Sequence, residues 1–329
     1  MDLLILEDAT ADGHPVAELF KCLSSGWLTL ISDRRFVETH LNLNNKRECL
    51  ILISRPVREC LTLISRSAFS VDCTESSNND VVTATKLDFP LICSCEMDII
   101  GSCNGLILLA SGQQTIMFLW NPSTREVEQL PNSLTCPYQY RAKPNTISSC
   151  RMYGLGYDSS IDDYKVVEII HSDILTCLYE YTLRTGSWRL RRSWVSDFLY
   201  VISRPSGVLL NGSVHWLAYK YSNDGRDSNL YEVIGAFDLT DNEFRDIYVP
   251  SSVPSSLAFS PHAVWISNDL GVLGGCLTVL VCPNFTRTDV CVMKEYGVTE
   301  SWTKCRVELQ CLRINGRIRN PFMLSLGMG

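Results

Sequence analysis

Cys103 is the first residue whose surroundings could support chemistry. Gly101-Ser-Cys103-Asn-Gly105 has the spacing of a nucleophile elbow with a cysteine at its centre. An elbow needs a strand before it and a helix after it, so that the nucleophile sits on a strained turn. Leu106-Ile-Leu-Leu-Ala110 instead predicts a strand, and Asn-Gly is typical of a hairpin turn. We therefore predict no catalytic role for Cys103.

Paired carboxylates and metal ligands are the other candidates. Asp162 and Asp163 are adjacent, and we interpret them as solvated turn residues. Asp158 and Asp163 flank the same loop but lack the ligand spacing of an EF-hand. The 15 cysteines include no Cys-x-x-Cys pair, and no two of the five histidines lie four residues apart. The sequence predicts free thiols, no metal, no cofactor and no enzymatic activity.

A repeated strand–turn–strand unit organises most of the chain. In each copy an aromatic residue is followed four positions later by Thr or Asp, and three positions further on by an apolar residue. The copies begin at Trp120, Tyr181 and Phe237. A fourth copy at Met293 has two extra residues before Trp302. The bulky residues are expected to pack inward.

Each copy has a second hairpin upstream, and the turns differ in sequence. Three turns fall at Asn104-Gly105, Asn211-Gly212 and Gly274-Gly275, dipeptides that accept positive φ, and the other at Tyr157–Asp163. Two hairpins in a period of about 50 residues make a four-stranded meander, the unit of a propeller blade. The sequence predicts a mainly β propeller with about five blades, the last incomplete.

The amino-terminal segment has a different pattern. Apolar residues recur at three- and four-residue steps between Pro15 and Leu41, which predicts helix. Short strands begin after Asn44. We therefore predict a helical domain over residues 1–43 and a β domain over residues 44–329.

Charge and hydropathy exclude several partners. The net charge is −7, which argues against nucleic acid because phosphate binding needs clustered Lys and Arg. The longest apolar run, Leu270–Cys282, is shorter than the roughly 20 residues of a membrane span. Acidic residues among the first 12 do not fit a secretory signal. We expect no membrane partner and a location in the cytoplasm, with the nucleus as a second location.

Six markers, in order, resemble plant F-box proteins that carry an F-box-associated interaction domain, including the S-locus F-box group. They are Gly101–Leu109, Trp120–Pro131, Tyr153–Val167, Gly207–Trp216, Phe237–Leu239 and Val292–Lys304. The resemblance covers nearly the whole chain. It implies a kelch-like propeller preceded by a short, degenerate or truncated F-box.

The resemblance also implies a function. Such a protein would be the substrate receptor of an SCF-type ubiquitin ligase, with partners that include a Skp-type adaptor, a cullin and a protein target. The adaptor would contact the F-box remnant at Pro15, Val16, Leu19, Phe20, Leu23, Trp27, Leu30 and Ile31. Loops at one propeller end would bind the target, with candidates Tyr138, Tyr140, Arg141, Tyr221, Arg226 and His262.

Two alternatives remain open at this point. Met1–His14 lacks the Leu-Pro start and the Ile-Leu helix of an F-box. A propeller that no longer binds the adaptor, acting as a decoy or having no function, is therefore the second interpretation. A propeller enzyme is the third, and it would need convergent Asp, Glu, Tyr or His residues that the sequence does not show.

Overall fold

The fold was analysed in a computed structural model. It describes residues 49–53, 68–72, 84–87, 97–111, 116–122, 125–133, 150–171, 176–194, 198–199, 206–221, 230–250, 266–283, 288–307, 313–314 and 317–318. The chain divides into two compact units, residues 1–132 with 326–329 and residues 133–325. Residues 1–43, the predicted helical domain, lie outside the described residues, so that boundary stays a prediction.

The first unit contains two antiparallel sheets. One has three strands in the order β1-β2-β3, and the other has four in the order β4-β5-β6-β7, which we call blade 1. Their bounds are β1 Cys49–Ile53, β2 Ala68–Asp72, β3 Ala84–Leu87, β4 Met97–Cys103, β5 Leu106–Ser111, β6 Met117–Asn121 and β7 Glu126–Gln129. Every residue of β5 is buried, as expected for an inner strand covered on both faces.

The second unit contains blades 2, 3 and 4 and a short hairpin. Blade 2 is formed by β8 Cys150–Asp158, β9 Asp163–His171, β10 Thr176–Thr182 and β11 Ser187–Trp194. Blade 3 is formed by β12 Phe198–Leu199, β13 Val208–Leu210, β14 Ser213–Tyr221, β15 Leu230–Asp238 and β16 Phe244–Tyr248. Blade 4 is formed by β17 Ile266–Leu273, β18 Cys276–Pro283, β19 Thr288–Met293 and β20 Trp302–Val307, with a 3₁₀ helix at Thr299–Ser301. The hairpin is β21 Arg313–Ile314 with β22 Arg317–Ile318.

Neighbouring blades of the second unit share apolar cores. The core between blades 2 and 3 includes Ile169, Trp216 and Phe237, and the core between blades 3 and 4 includes Ile234 and Val279. A four-stranded sheet with apolar residues on both faces is unstable when both faces are exposed to water. Each blade is therefore stabilised by packing against its neighbours.

Blades 2 and 3 share one orientation. Tyr153 of β8 and Ser206, just before β13, form a parallel bridge, so the first strands of blades 2 and 3 run in the same direction. In an antiparallel meander the first and third turns then lie at one end. We call this the hairpin end and the opposite end of blades 2 to 4 the loop end.

The predicted hairpins are confirmed, and four of the roughly five predicted blades lie among the described residues. Asn104, Gly105, Asn211 and Gly212 have positive φ, as the tight turns require. Four sheets have four or more strands among the described residues, where about five blades were predicted. Outside these four blades, the described residues form the three-stranded sheet β1–β3 and the hairpin β21–β22.

Candidate protein-binding surface and the blade seams

Gly207 lies where the backbones of blades 2 and 3 meet. The Gly207 amide donates to the Tyr153 carbonyl at 2.6 Å, and the Trp216 indole N–H donates to the same carbonyl at 2.9 Å. A Cβ on Gly207 would lie 2.6 Å from Trp216 Nε1 and 2.5 Å from Val214 Cγ1. Real Cβ atoms do not approach other atoms this closely, so only glycine fits this backbone approach.

Gly207→Ala is expected to lower the free energy of unfolding by about 1–3 kcal/mol, because a buried methyl group would overpack this seam. Gly271→Ala is the matched control, since a Cβ there meets nothing within 4 Å. It should change stability by less than about 1 kcal/mol. Urea denaturation of both variants tests this, and equal effects would contradict the close approach at Gly207.

Lys165 joins blades 2 and 3 through a buried ion network. Its Nζ lies 2.7 Å from Asp158 Oδ2 and 3.2 Å from Glu180 Oε2, and it donates to the Leu239 carbonyl of blade 3 at 2.6 Å. All three charged side chains are at most 3% exposed. Arg191 also binds Glu180, donating from Nε at 3.0 Å. A buried lysine in this position requires both carboxylates, because an unpaired buried charge is strongly unfavourable.

Asp158 is held in its ionised form by this network. Burial raises the pKa of the Asp158 carboxyl, but hydrogen bonds from Lys165 and Ser160 outweigh burial and leave the pKa below its ordinary value. The Ser160 amide and hydroxyl donate to Asp158 Oδ1 at 2.9 and 2.6 Å. Asp158 therefore serves as a structural anion between two blades.

His215 and Tyr296 connect blades 3 and 4. His215 is fully buried, and its Nδ1 lies 3.1 Å from the Val208 carbonyl oxygen. A carbonyl can only accept, so Nδ1 carries the proton and Nε2 accepts from the Tyr296 hydroxyl at 2.7 Å. Burial lowers the pKa of His215 to about 4, so the ring is neutral at pH 7. Two markers 81 residues apart in the sequence thus meet at this seam.

The turn that carries Tyr296 is held by its own side chains. Ser301 Oγ accepts from the Glu295 amide at 3.1 Å and lies 2.7 Å from the Val298 carbonyl oxygen. These bonds order the two extra residues that distinguish the fourth copy of the repeat. Tyr296 and Val298 are 43% and 39% exposed at this hairpin-end turn.

The residues considered as candidates for catalysis lie at hairpin turns. Cys103 ends β4 and is followed by a hairpin turn and the strand β5, as predicted. The interpretation of Asp163 as a solvated residue is wrong, because it is buried and accepts from the Arg184 amide at 3.0 Å. Asp162, with φ +55°, accepts from the Tyr157 hydroxyl. The two carboxylates therefore stabilise the first and third turns of blade 2.

Metal ligands and membrane-spanning helices were sought in the described ranges. Among those residues, no three His, Cys, Asp or Glu side chains converge as a metal site would require. Within the same ranges, no helix has the length and apolar character needed to cross a bilayer. Cys103, Cys177, Cys276 and Cys291 are not in disulfide bonds, and three of them are buried.

The predicted tryptophan positions are largely confirmed as core. Trp120, Trp188 and Trp216 are buried, and Trp302 packs partly buried against the core between blades 3 and 4. Trp265 lies outside the described residues.

The predicted binding residues are mostly outside the described part of the chain. This holds for all eight adaptor candidates, Pro15, Val16, Leu19, Phe20, Leu23, Trp27, Leu30 and Ile31. It holds equally for the target candidates Tyr138, Tyr140, Arg141, Arg226 and His262. Tyr221 is the last residue of β14, at the loop end of blade 3.

Next to Tyr221 the loop end of blade 3 presents residues that the sequence reasoning missed. The rings of Tyr231 and Tyr248 stack with centroids 6.5 Å apart, and Lys220 Nζ lies 2.7 Å from Asp246 Oδ2. Tyr248 is 53% exposed. We call Lys220, Tyr231, Asp246 and Tyr248 the tyrosine cluster. The signal in the sequence was a tyrosine near the start of one strand and another at the end of the next. Strand assignment alone does not give the register that brings the two tyrosines together.

Comparison with known proteins agrees with the markers. The F-box associated beta propeller domain family matches residues 60–322. The F-box protein CPR1 of Arabidopsis thaliana is 32% identical over 88% of this chain and 68% of its own length. An F-box/kelch-repeat protein of the same plant is 27% identical over 88% of this chain and 74% of its own length.

Solved structures are more distant. The WD40 domain of SCAP from fission yeast superposes with a TM-score of 0.35 and 10% identity, over 80% of this chain and 56% of the other. Such a low TM-score supports no statement about function. The family match over most of the chain is decisive, and the chain belongs to the plant F-box proteins with an F-box-associated β-propeller domain.

Proposed function

We propose that this chain is the substrate receptor of an SCF-type ubiquitin ligase. A segment within residues 1–43 would dock on a Skp-type adaptor, and the propeller would hold the target protein. The observation that supports this proposal is the family match over residues 60–322, together with relatives that are named F-box proteins.

The mechanism we propose is proximity without chemistry. A receptor that holds a target lysine near the ligase's catalytic subunit raises the effective concentration of that lysine. The receptor then needs a binding surface and a rigid body. The buried seams formed by Lys165, Trp216 and His215 supply the rigid body.

The loop end is the better candidate for target binding. At the hairpin end, turn residues of blades 3 and 4 contact neighbouring blades, as Leu239 and Tyr296 do. A change at such a turn would disturb a seam. The connections over residues 222–229 and 251–261 leave from the loop end, at the ends of β14 and β16. Connecting loops on a rigid scaffold are where binding specificity is commonly carried.

A titration of the purified chain with a plant Skp-type adaptor tests the proposal. We expect micromolar or tighter binding, reduced at least about tenfold by Leu19→Asp or Trp27→Ala, because an F-box binds through packed apolar helices. Leu273→Ala is the matched control, since this exposed residue lies in the propeller and should leave adaptor binding unchanged.

Failure of a folded chain to bind the adaptor would overturn the receptor role. The chain would then be a propeller that acts without the ligase, such as a decoy. The folded state is checked by a cooperative unfolding transition in the same preparation.

A further inference from the structure

The tyrosine cluster has the composition of a protein-binding hot spot. Stacking fixes the two rings, with an interplanar angle of 19°, while about half of Tyr248 stays exposed. Aromatic residues with few rotatable bonds supply contact area at a low cost in conformational entropy. Tyr248 ends β16, so the exposed ring lies at the loop end of blade 3, where the proposed function puts target binding.

Strand register places the cluster on one face of blade 3. Lys220 pairs with Tyr231, and Gly235 pairs with Asp246. Tyr231 and Gly235 are four residues apart, so both strand pairs project to the same side. Tyr248 pairs with Val233, between them on the same face. The four side chains are therefore neighbours because of the sheet itself.

The Lys220 ammonium group lies on this face of blade 3. The Asp246 hydrogen bond is the main reason that the pKa of Lys220 is raised, and Tyr231 and Tyr248 contribute in the same direction. The Lys220 ammonium is therefore paired with the Asp246 carboxylate on the face that carries the two tyrosines. Lys220 and Asp246 are 26% and 21% exposed, so solvent and other molecules can reach the pair.

We propose that the tyrosine cluster binds a basic side chain, Arg or Lys, of the target protein. The incoming cation would stack on the open face of Tyr248 and share the Asp246 carboxylate. Aromatic ring faces attract cations, and Lys220 shows that the Asp246 carboxylate on this face can bind a basic side chain. The net charge of −7 favours the approach of a basic segment. This inference rests on the proposed function only in calling the partner a ligase target.

The test uses two fluorescein-labelled hexapeptides, one alternating Gly and Arg and the other alternating Gly and Glu. Binding to the full chain is followed by fluorescence anisotropy at about 25 mM salt, where charge interactions are weakly screened. We expect the Arg peptide to bind about fivefold more weakly to Tyr248→Ala and to Asp246→Asn. Lys220→Ala should bind it about fivefold more tightly, because Asp246 then loses its resident cation.

Leu273→Ala is the matched control. Leu273 is 57% exposed and ends β17 beside the first turn of blade 4, at the hairpin end, so its loss should leave peptide binding at the loop end unchanged. Unchanged binding of the Arg peptide to Tyr248→Ala would overturn the inference. So would a preference for the Glu peptide that Lys220→Ala abolishes, because the cluster would then be an anion site.

Adaptor binding of the same proteins separates this inference from the proposed function. If the peptide results hold and the adaptor does not bind, the cluster is a cation-binding surface and the ligase role fails. If the adaptor binds and the peptide results fail, the receptor role stands and the target is bound elsewhere. Thermal unfolding of each variant confirms that differences in peptide binding do not come from misfolding.

Discussion

Lys165→Met is expected to lower the free energy of unfolding by about 3–5 kcal/mol, the largest effect of any single substitution considered for this protein. The variant would leave Asp158 and Glu180 buried without the ammonium that lies 2.7 and 3.2 Å from them. It would also remove the donor to the Leu239 carbonyl, which links blade 2 to blade 3. Urea denaturation followed by circular dichroism measures the loss.

Lys220→Met is the matched control for Lys165→Met. It removes an equally short ion pair, Lys220–Asp246 at 2.7 Å, but one that is about a quarter exposed on each side. Partly exposed pairs contribute about 0–1 kcal/mol. Asp158→Asn in the Lys165→Met background should recover part of the lost stability, because it removes one unpaired charge. Equal, small effects at positions 165 and 220 would contradict a buried ion network.

The second large effect is a loss of stability in mild acid. Unfolded His215 binds a proton with a pKa near 6.5, whereas burial lowers the folded pKa to about 4. The unfolded state therefore takes up the proton first as the pH falls. The contribution is fully present above pH 6.5 and is lost as the pH falls towards 4. The expected loss is about 3 kcal/mol by pH 4.

His215→Phe isolates this effect. Asp158 and Asp238 also have pKa values below the ordinary value, so their contributions are likewise lost at low pH. Those groups are present in both proteins and cancel in the difference between the two stability curves. The difference should change between pH 6.5 and 4 and stay flat from pH 7 to 8. A pH-independent difference would show that the His215 ring is accessible to protons in the folded state.

The turns and the repeat could be predicted because their signals are local. Positive φ at Asn104 and Asn211 follows from the dipeptides alone. The aromatic residues that begin the first three copies, Trp120, Tyr181 and Phe237, are at most 2% exposed, as their spacing indicated. Family membership could also be predicted, because the markers are continuous stretches of sequence.

The seams could not be predicted because they join residues distant in sequence. Lys165 meets Leu239 across 74 residues, and no periodicity identifies such a partner. One signal in the sequence does indicate that partners exist: Lys165 and Glu168 lie in β9, a strand with apolar residues on both faces. Charges in such a strand must be paired. Asp163 was misjudged for the same reason, since its partner, the Arg184 amide, belongs to another turn.

These contacts give the family markers a physical role. Tyr153, Lys165, His215 and Tyr296 all lie in marker segments, and all make contacts between neighbouring blades. The tyrosine cluster lies outside the markers. Residues that hold the propeller together and residues that select a partner are therefore expected to be separate sets, which lets one scaffold accept different targets.

The contact between separate markers at a blade seam is tested most directly by a double-mutant cycle between His215 and Tyr296. Unfolding free energies of His215→Phe, Tyr296→Phe and the double variant are measured in urea at pH 7.5. The hydrogen bond between them predicts a coupling energy of about 0.5–1.5 kcal/mol. Effects that add to within about 0.3 kcal/mol would mean that the two residues do not meet, and would contradict the seam between blades 3 and 4.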